Sequence, residues 1–338
     1  MPRSIETPEV TPMRIIGDLW AARAAQVLIA GTELDVFTEI AHGRKTAREI
    51  ARATHTKPNA MERLLDALVG IGYLTRRSNT YGLAPVAAEF LVRDRPGYVG
   101  GMVDETRLAW DTWGHLTEVV RTGRPVSMVD SEAGARDFFP RLVRAIFPMS
   151  FGAAQAAASA LPARSRQGIE AILDVAAGAA PWSIAFALEL PGARVTALDF
   201  GEMLDVAREY TERFGVLERY HFLDGNLRTT DFGREKYDLV LLGHIIHSEG
   251  AKWGRRLIAK SYRALRPGGT LLIAEMVPND TRSGPAIPLV FGLNMLLHTD
   301  AGDVFTMKEY RQWLKEAGFR KVRTLEAPAP SPLILATK

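Results

Sequence analysis

From Ile169 onward the chain alternates short apolar runs with amphipathic stretches, and the first runs end on acids. The runs are Ala171–Val175, Arg194–Asp199, Tyr220–Leu223, Asp238–Leu242 and Thr270–Glu275, followed by Lys321–Leu325 and Pro332–Thr337. Between them, Trp182–Leu190, Met203–Phe214, Trp253–Leu265 and Lys308–Ala317 read as helices, the third closed by Arg266-Pro-Gly-Gly269 and the fourth by Gly318. Runs that are apolar throughout mark strands covered on both faces. Alternating with helices, they specify an α/β fold with a doubly wound, mostly parallel sheet. No internal repeat or low-complexity tract competes with that reading.

Ligands of such sheets bind beyond the carboxyl ends of the strands, where strand order reverses. Asp174, Asp199, Asp224, His247 and Glu275 collect at those ends. Any one acid there serves equally well as a helix cap. The set points to a ligand site. Asp174 and Asp199 are 25 residues apart, the span of one strand-helix-strand unit. An acid after the second strand can accept both hydroxyls of a ribose. The loop between them, Asp174-Val-Ala-Ala-Gly178-Ala-Ala-Pro-Trp182, keeps a single glycine. A pyrophosphate needs glycines for close backbone approach, which disfavours a dinucleotide. S-adenosylmethionine (SAM), a nucleoside without phosphates, tolerates alanines better.

The N-terminal region has a different pattern. Thr46 and Glu49 are spaced as a capping box, and Met61, Leu64, Leu65, Leu68 and Val69 share one helix face. After Leu74, the polar turn Thr-Arg-Arg-Ser-Asn-Thr separates two extended pieces, a hairpin signal. Helix, helix, hairpin is the order of a winged helix. As a DNA reader it needs a basic recognition helix, yet Pro58–Gly72 offers Arg63 against Glu62 and Asp66. Residues 1–100 hold 13 Lys+Arg and 11 Asp+Glu, so only Arg76 and Arg77 favour phosphate. A dimerisation module fits better than nucleic-acid binding. Residues 101–165 read as a helical connector carrying large apolar groups, among them Trp110, Phe147 and Met149.

Taken together, Ile172–Ala180, Val195–Phe200, Tyr237–Ser248 and Leu265–Pro278 resemble the class I SAM-dependent O-methyltransferases that have an N-terminal winged-helix dimerisation domain. That family includes plant caffeate-type and bacterial natural-product enzymes. The resemblance covers nearly the whole chain from about residue 15. It implies a Rossmann-like, seven-stranded methyltransferase sheet over residues 166–338, a winged-helix dimerisation domain over 1–100, and a connector over 101–165 that contributes to the substrate pocket. Asp174, Ala176 and Gly178 would surround the methionine end of SAM. Asp199 would hold the ribose, with Phe200 beside the adenine. Asp224, Gly225, Asn226 and Leu227 fall where the family contacts adenine, and Gly243 and His244 approach the cofactor's tail. His247 matches the catalytic base and Glu275 the acid that orients it. The acceptor pocket would draw on Trp110, Phe147, Met149, Phe291, Asn294, Met295 and His298.

The 28 residues between His247 and Glu275 match a strand-helix-strand spacing, which brings both to one face. A histidine titrating near ~6.5 suits proton removal from a phenol or enol. The sequence departs from the family in three places: the alanine-rich loop, His247-Ser248-Glu249 after the fourth strand, and Val304, beside Asp303, where a second acid flanks the base. No metal site is expected, because the spacing of His244 and His247 on a strand end does not converge. The expected assembly is a homodimer acting on a small-molecule methyl acceptor. Rival readings are a relative that methylates C, N or S, one that does not methylate at all, and a winged-helix regulator using SAM as effector.

Composition sets the setting. The 42 Lys+Arg against 39 Asp+Glu leave a net charge of +3 on 338 residues, no nucleic-acid footprint. Zero cysteines exclude thiolate catalysis and suit a reducing cytoplasm. Residues 1–12 lack an apolar signal-peptide core, and the run Ile287–Leu297 is short of the ~20 residues that span a bilayer.

Overall fold

The computed structural model describes residues 11–95, 97–126, 132–161 and 168–338. The chain divides into two compact units, Met1–Arg107 and Leu108–Lys338. The segment expected as a separate connector is therefore grouped with the sheet from residue 108 onward.

The first unit contains helices α1 (Met13–Glu33), α2 (Val36–Ala41), α3 (Ala47–Ala53) and α4 (Pro58–Gly70), the antiparallel hairpin β1 (Leu74–Arg77) and β2 (Thr80–Leu83), and α5 (Pro85–Phe90). Thr46 and Glu49 form the capping box in full, each side chain meeting the other's backbone N–H. Met61, Leu65 and Leu68 of α4 are buried against Phe37, Ile50 and Tyr81. Arg76 is paired with Asp66 and with Glu62, and Tyr81 donates to Asp66 at 2.8 Å. One of the two hairpin cations that favoured phosphate is thus already neutralised.

The division falls within α6 (Gly101–Gly114), which leads to α7 (Leu116–Thr122) and the long α8 (Glu132–Ala160). Then come β3 (Ala171–Val175), α9 (Pro181–Glu189), β4 (Arg194–Asp199), α10 (Gly201–Arg213), β5 (Tyr220–Asp224) and β6 (Tyr237–Gly243). The rest is α11 (Ile246–Ala264), β7 (Leu265–Ala274), α12 (Ala286–His298), α13 (Met307–Ala317), β8 (Lys321–Leu325) and β9 (Leu333–Thr337). The seven strands of the sheet lie in the order β5-β4-β3-β6-β7-β9-β8, parallel except for β9, which is antiparallel to both neighbours.

Side chains alternate between two buried layers, as the two-residue period of a strand requires. Ile172, Leu239 and Leu241 enter one core, and Leu173, Val175, Val240 and Leu242 the other. Strand order reverses between β3 and β6, so the binding crevice opens beyond Val175 and Gly243.

Two elements differ from expectation. β7 begins at Leu265, because Leu265 already pairs with Tyr237 before a register shift, and Arg-Pro-Gly-Gly lies inside the strand instead of ahead of it. The helix expected from Trp253 begins at Ile246 but breaks at Gly250 (φ 71°, ψ 173°). A side chain at Gly250 would sit 2.3 Å from the Ala301 carbonyl, so close backbone packing dictates both the glycine and the kink.

Candidate active site

The cofactor side of the crevice is shaped by backbone. Ala176 (φ 55°), Gly178 (φ 57°) and Ala180 (φ 56°) are all left-handed. For an alanine that conformation costs about 1–2 kcal/mol. The loop thus takes a glycine-like path where the sequence shows alanines. Neighbouring bonds hold it: Asp199 Oδ2 accepts the Gly178 N–H at 2.8 Å, and the Ala180 N–H reaches the Ala177 carbonyl at 2.7 Å. Gly178 itself is required, since a Cβ there would lie 2.9 Å from Val143 Cγ1.

Asp199 also accepts the Phe200 N–H through Oδ1, at 2.8 Å. Burial pushes its carboxyl up to about 6 despite these amides, and Asp224 adds to the rise. Asp174 is buried and accepts the Ser183 hydroxyl at 2.5 Å, while Tyr220 donates to Ser183 at 3.1 Å. Burial pushes Asp174 up to about 7. Its carboxylate is committed to this interior chain, which sequence reasoning missed because Ser183 and Tyr220 carry no motif.

Across the edge, Phe200 stands exposed ahead of α10. Asp224 and Asn226 are exposed at the exit of β5, with Gly225 and Leu227 half-buried. Gly225 donates to the Asp199 carbonyl at 3.0 Å, which ties the two strand exits together. At the end of β6, a Cβ on Gly243 would lie 2.4 Å from Trp182 Cδ1. Trp182 therefore covers this strand end, a role the sequence showed only as an unusual residue after the loop.

The opposite side is built from side chains. His247, on the first turn of α11, places Nδ1 2.6 Å from Glu275 Oε2 just after β7. Glu275 Oε1 accepts the N–H groups of Ile246 at 2.6 Å and His247 at 3.3 Å. Burial alone would raise the Glu275 carboxyl, but the adjoining His247 holds it below the usual carboxylate range. An ionised Glu275 fixes the Nδ1–H tautomer, leaving Nε2 as the basic nitrogen. The His247 carbonyl accepts the Asp303 N–H at 3.0 Å, and Phe291 meets the imidazole edge-on with ring centroids 4.9 Å apart.

His244 is left-handed (φ 58°) and held by a bond from its N–H to the Ala274 carbonyl at 2.8 Å. Burial lowers its pKa to about 4, so it is neutral at pH 7. The expectation that His244 and His247 would not converge is corrected, because ligand atoms of His244, His247 and Glu275 lie within 4.8 Å of one another. The left-handed turn at His244 brings them together.

The pocket candidates divide. Phe291 and Asn294 are half-buried on α12, and Met295 and His298 are buried there. Burial lowers the His298 pKa. Trp110 is half-buried on α6. Phe147 packs against Tyr210, Phe151 and Phe214, with centroids 4.3, 5.2 and 5.6 Å away, so its ring belongs to the core beneath α10. Met149 is exposed. Val304 is buried where the family has its second acid. Asp303 does not replace that acid, since Oδ1 accepts the Val304 N–H and Oδ2 pairs with Arg282 at 3.2 Å.

A crevice at the strand-order switch, a carboxylate after the second strand and a buried His–Glu pair together define a nucleoside-dependent transferase class. Residues 113–320 match the O-methyltransferase domain, and residues 19–93 match the O-methyltransferase dimerisation domain. The chain belongs to this O-methyltransferase family and is a SAM-dependent methyltransferase. It is 32% identical to the tetracenomycin polyketide synthesis 8-O-methyl transferase TcmO of Streptomyces glaucescens, over 93% of each chain. It is 31% identical to a 3-hydroxy-5-methyl-1-naphthoate 3-O-methyltransferase of Streptomyces sahachiroi, over 90% of this chain and 88% of that one. A crystal structure of a candidate O-methyltransferase from Nostoc punctiforme superposes with a TM-score of 0.87 at 28% identity, covering 98% of this chain and 100% of that one. Proteins of this fold have been solved with SAM or S-adenosylhomocysteine bound. No described helix is long and apolar enough to cross a membrane.

Proposed function

We propose that the enzyme methylates a hydroxyl on a flat aromatic, polyketide-like acceptor, with His247 as general base and Glu275 as its support. The observation that carries this reading is the 2.6 Å bond from His247 Nδ1 to a buried, ionised Glu275. SAM supplies an electrophilic methyl on a sulfonium. His247 Nε2 would take the acceptor proton as the oxygen–methyl bond forms and the sulfur–methyl bond breaks to release S-adenosylhomocysteine, and Glu275 would stabilise the resulting imidazolium. Phe291 fixes the plane of the imidazole, and an aligned acceptor reacts with little further ordering.

The single glycine of the loop and the acceptor carboxylate of Asp199 fit a nucleoside without phosphates. Asp199 would hold the ribose hydroxyls, the loop Ala176–Gly178 that follows the buried Asp174, with Gly243 and His244, the methionine end, and Phe200 with Asp224–Leu227 the adenine. Trp110, Phe291, Asn294, Met295 and His298 form the acceptor pocket of this reading. TcmO is an O-methyl transferase of polyketide synthesis and the other relative methylates the 3-oxygen of a hydroxynaphthoate, which supports an acceptor of that class. We also infer a homodimer formed through the N-terminal winged-helix domain, and a cytoplasmic setting consistent with the lack of cysteine.

A turnover screen with SAM tests the reading, using naphthols and hydroxylated polycyclic aromatics against matched amines and thiols. Equal amounts of methyl ether and S-adenosylhomocysteine are expected from the hydroxyl acceptors. Transfer confined to nitrogen, sulfur or carbon acceptors would contradict it.

A further inference from the structure

The segment after β5 is fastened to α11 at two points. Lys260 donates its ammonium to the carbonyls of Leu227 at 2.6 Å and Thr230 at 2.7 Å, with the Arg228 carbonyl at 3.5 Å. The same nitrogen lies 4.0 Å from the centroid of Phe232, a buried core ring. Three donors thus face three carbonyls and a ring, and the Asp231 carboxylate also favours the ammonium. The second fastening is Arg228 Nε donating to Glu249 at 2.7 Å. Glu249 lies on the short turn that carries His247, and Lys260 lies on the long arm beyond the Gly250 kink. The segment therefore spans the kink and is held from both sides.

The turn does not need Lys260 for its own shape. The Asn226 side chain accepts the Arg228 N–H at 2.8 Å, and the Asn226 carbonyl accepts the N–H groups of Thr229 at 3.0 Å and Thr230 at 2.8 Å. Those bonds close the turn locally. The lysine reaches in from another element and binds carbonyls the turn leaves unused, so it fixes where the turn stands against the sheet.

We infer that Lys260 is a positioning residue for the nucleoside end of the cofactor: it sets the stance of the Asp224–Leu227 segment at the crevice without touching the reacting atoms. This rests on the reading above that the segment faces adenine. In the full-length enzyme, Lys260→Met raises the Kd of both SAM and S-adenosylhomocysteine about tenfold, because the charged hydrogen bonds that hold the segment are gone. The KM for the acceptor and kcat at saturating SAM stay within about twofold. Lys260→Arg, which can still donate to carbonyls, restores most of the affinity.

Calorimetry and steady-state kinetics with a naphthol acceptor read these values. A lysine that serves only general stability lowers the melting temperature or the active fraction and leaves both Kd values alone; that result overturns the inference. Asp224→Ala and Asn226→Ala separate the role of the lysine from the role of the segment it holds. If they raise the Kd while Lys260→Met does not, the lysine assignment fails alone. If neither they nor Lys260→Met raises it, the reading of the segment as a nucleoside contact fails with it.

Discussion

The two sides of the crevice hold their functional groups by opposite means. On the base side, Glu275 is enclosed by the His247 imidazole and two backbone N–H groups. Each partner is a side chain or a helix-start amide, so residue identity and geometry travel together. On the cofactor side the working surface is backbone bent left-handed at Ala176, Gly178 and Ala180. There the path persists although the residue types that make it easy are mostly gone. A site made of side chains depends on what the residues are, and a site made of backbone depends on what surrounds them.

That contrast ranks the expected effects of mutation. The base side is the more sensitive to single changes. His247→Ala lowers the methyl-transfer rate about 10³-fold, within the usual reach of a general base, and leaves S-adenosylhomocysteine affinity unchanged by calorimetry. Glu275→Gln keeps the shape but removes the charge that stabilises the imidazolium. It lowers kcat about 10²-fold, seen in single-turnover measurements. If both substitutions instead weaken cofactor binding and spare the rate, the division between the two sides collapses.

On the cofactor side, Asp199→Asn raises the Kd for SAM about tenfold by weakening charge-assisted bonds to the ribose. Burial pushes the wild-type carboxyl up to about 6, and ribose hydroxyls prefer the ionised form. Affinity therefore tightens as pH rises from ~5 to ~7, and Asp199→Asn flattens that profile in isothermal titration.

Asp174, near the end of the neighbouring strand β3, tests the buried part of this side. Its pKa is raised to about 7, so between the unfolded value of ~3.9 and that point the folded state binds the extra proton. Stability contributed by the neutral form is present below this window and falls as pH rises through it. Asp174→Asn flattens the slope in denaturant unfolding. The smallest effect is Ala176→Gly, which relieves a left-handed alanine at a half-buried position. It gains about 0.5–1 kcal/mol, read as a higher melting temperature.

What could be read in the sequence follows the same line. The strand exits, the capping box at Thr46 and the His247–Glu275 spacing are patterns of residue type, and the structure has each in place. The left-handed turn at His244 was not legible, because a histidine gives no sign of positive φ, and so its approach to His247 was missed. The Asp174–Ser183–Tyr220 chain and the cover of Trp182 over Gly243 join residues from separate elements with no fixed spacing. Phe147 shows the reverse error. An aromatic in the connector suggested a pocket wall, whereas helix α8 turns it into the core. The start of β7 at Leu265 depends on pairing with Tyr237, a tertiary contact that no local signal of Arg-Pro-Gly-Gly carries.

The central proposal is that His247 removes the acceptor's proton. The direct measurement is the ratio of wild-type to His247→Ala transfer rates across a series of phenols of falling hydroxyl pKa, at fixed pH and saturating SAM. A base is needed least where the acceptor is already ionised, so the ratio is expected to shrink from about 10³ toward unity along the series. A ratio that stays constant from the weakest acid to the strongest would contradict the assignment and leave His247 a structural residue.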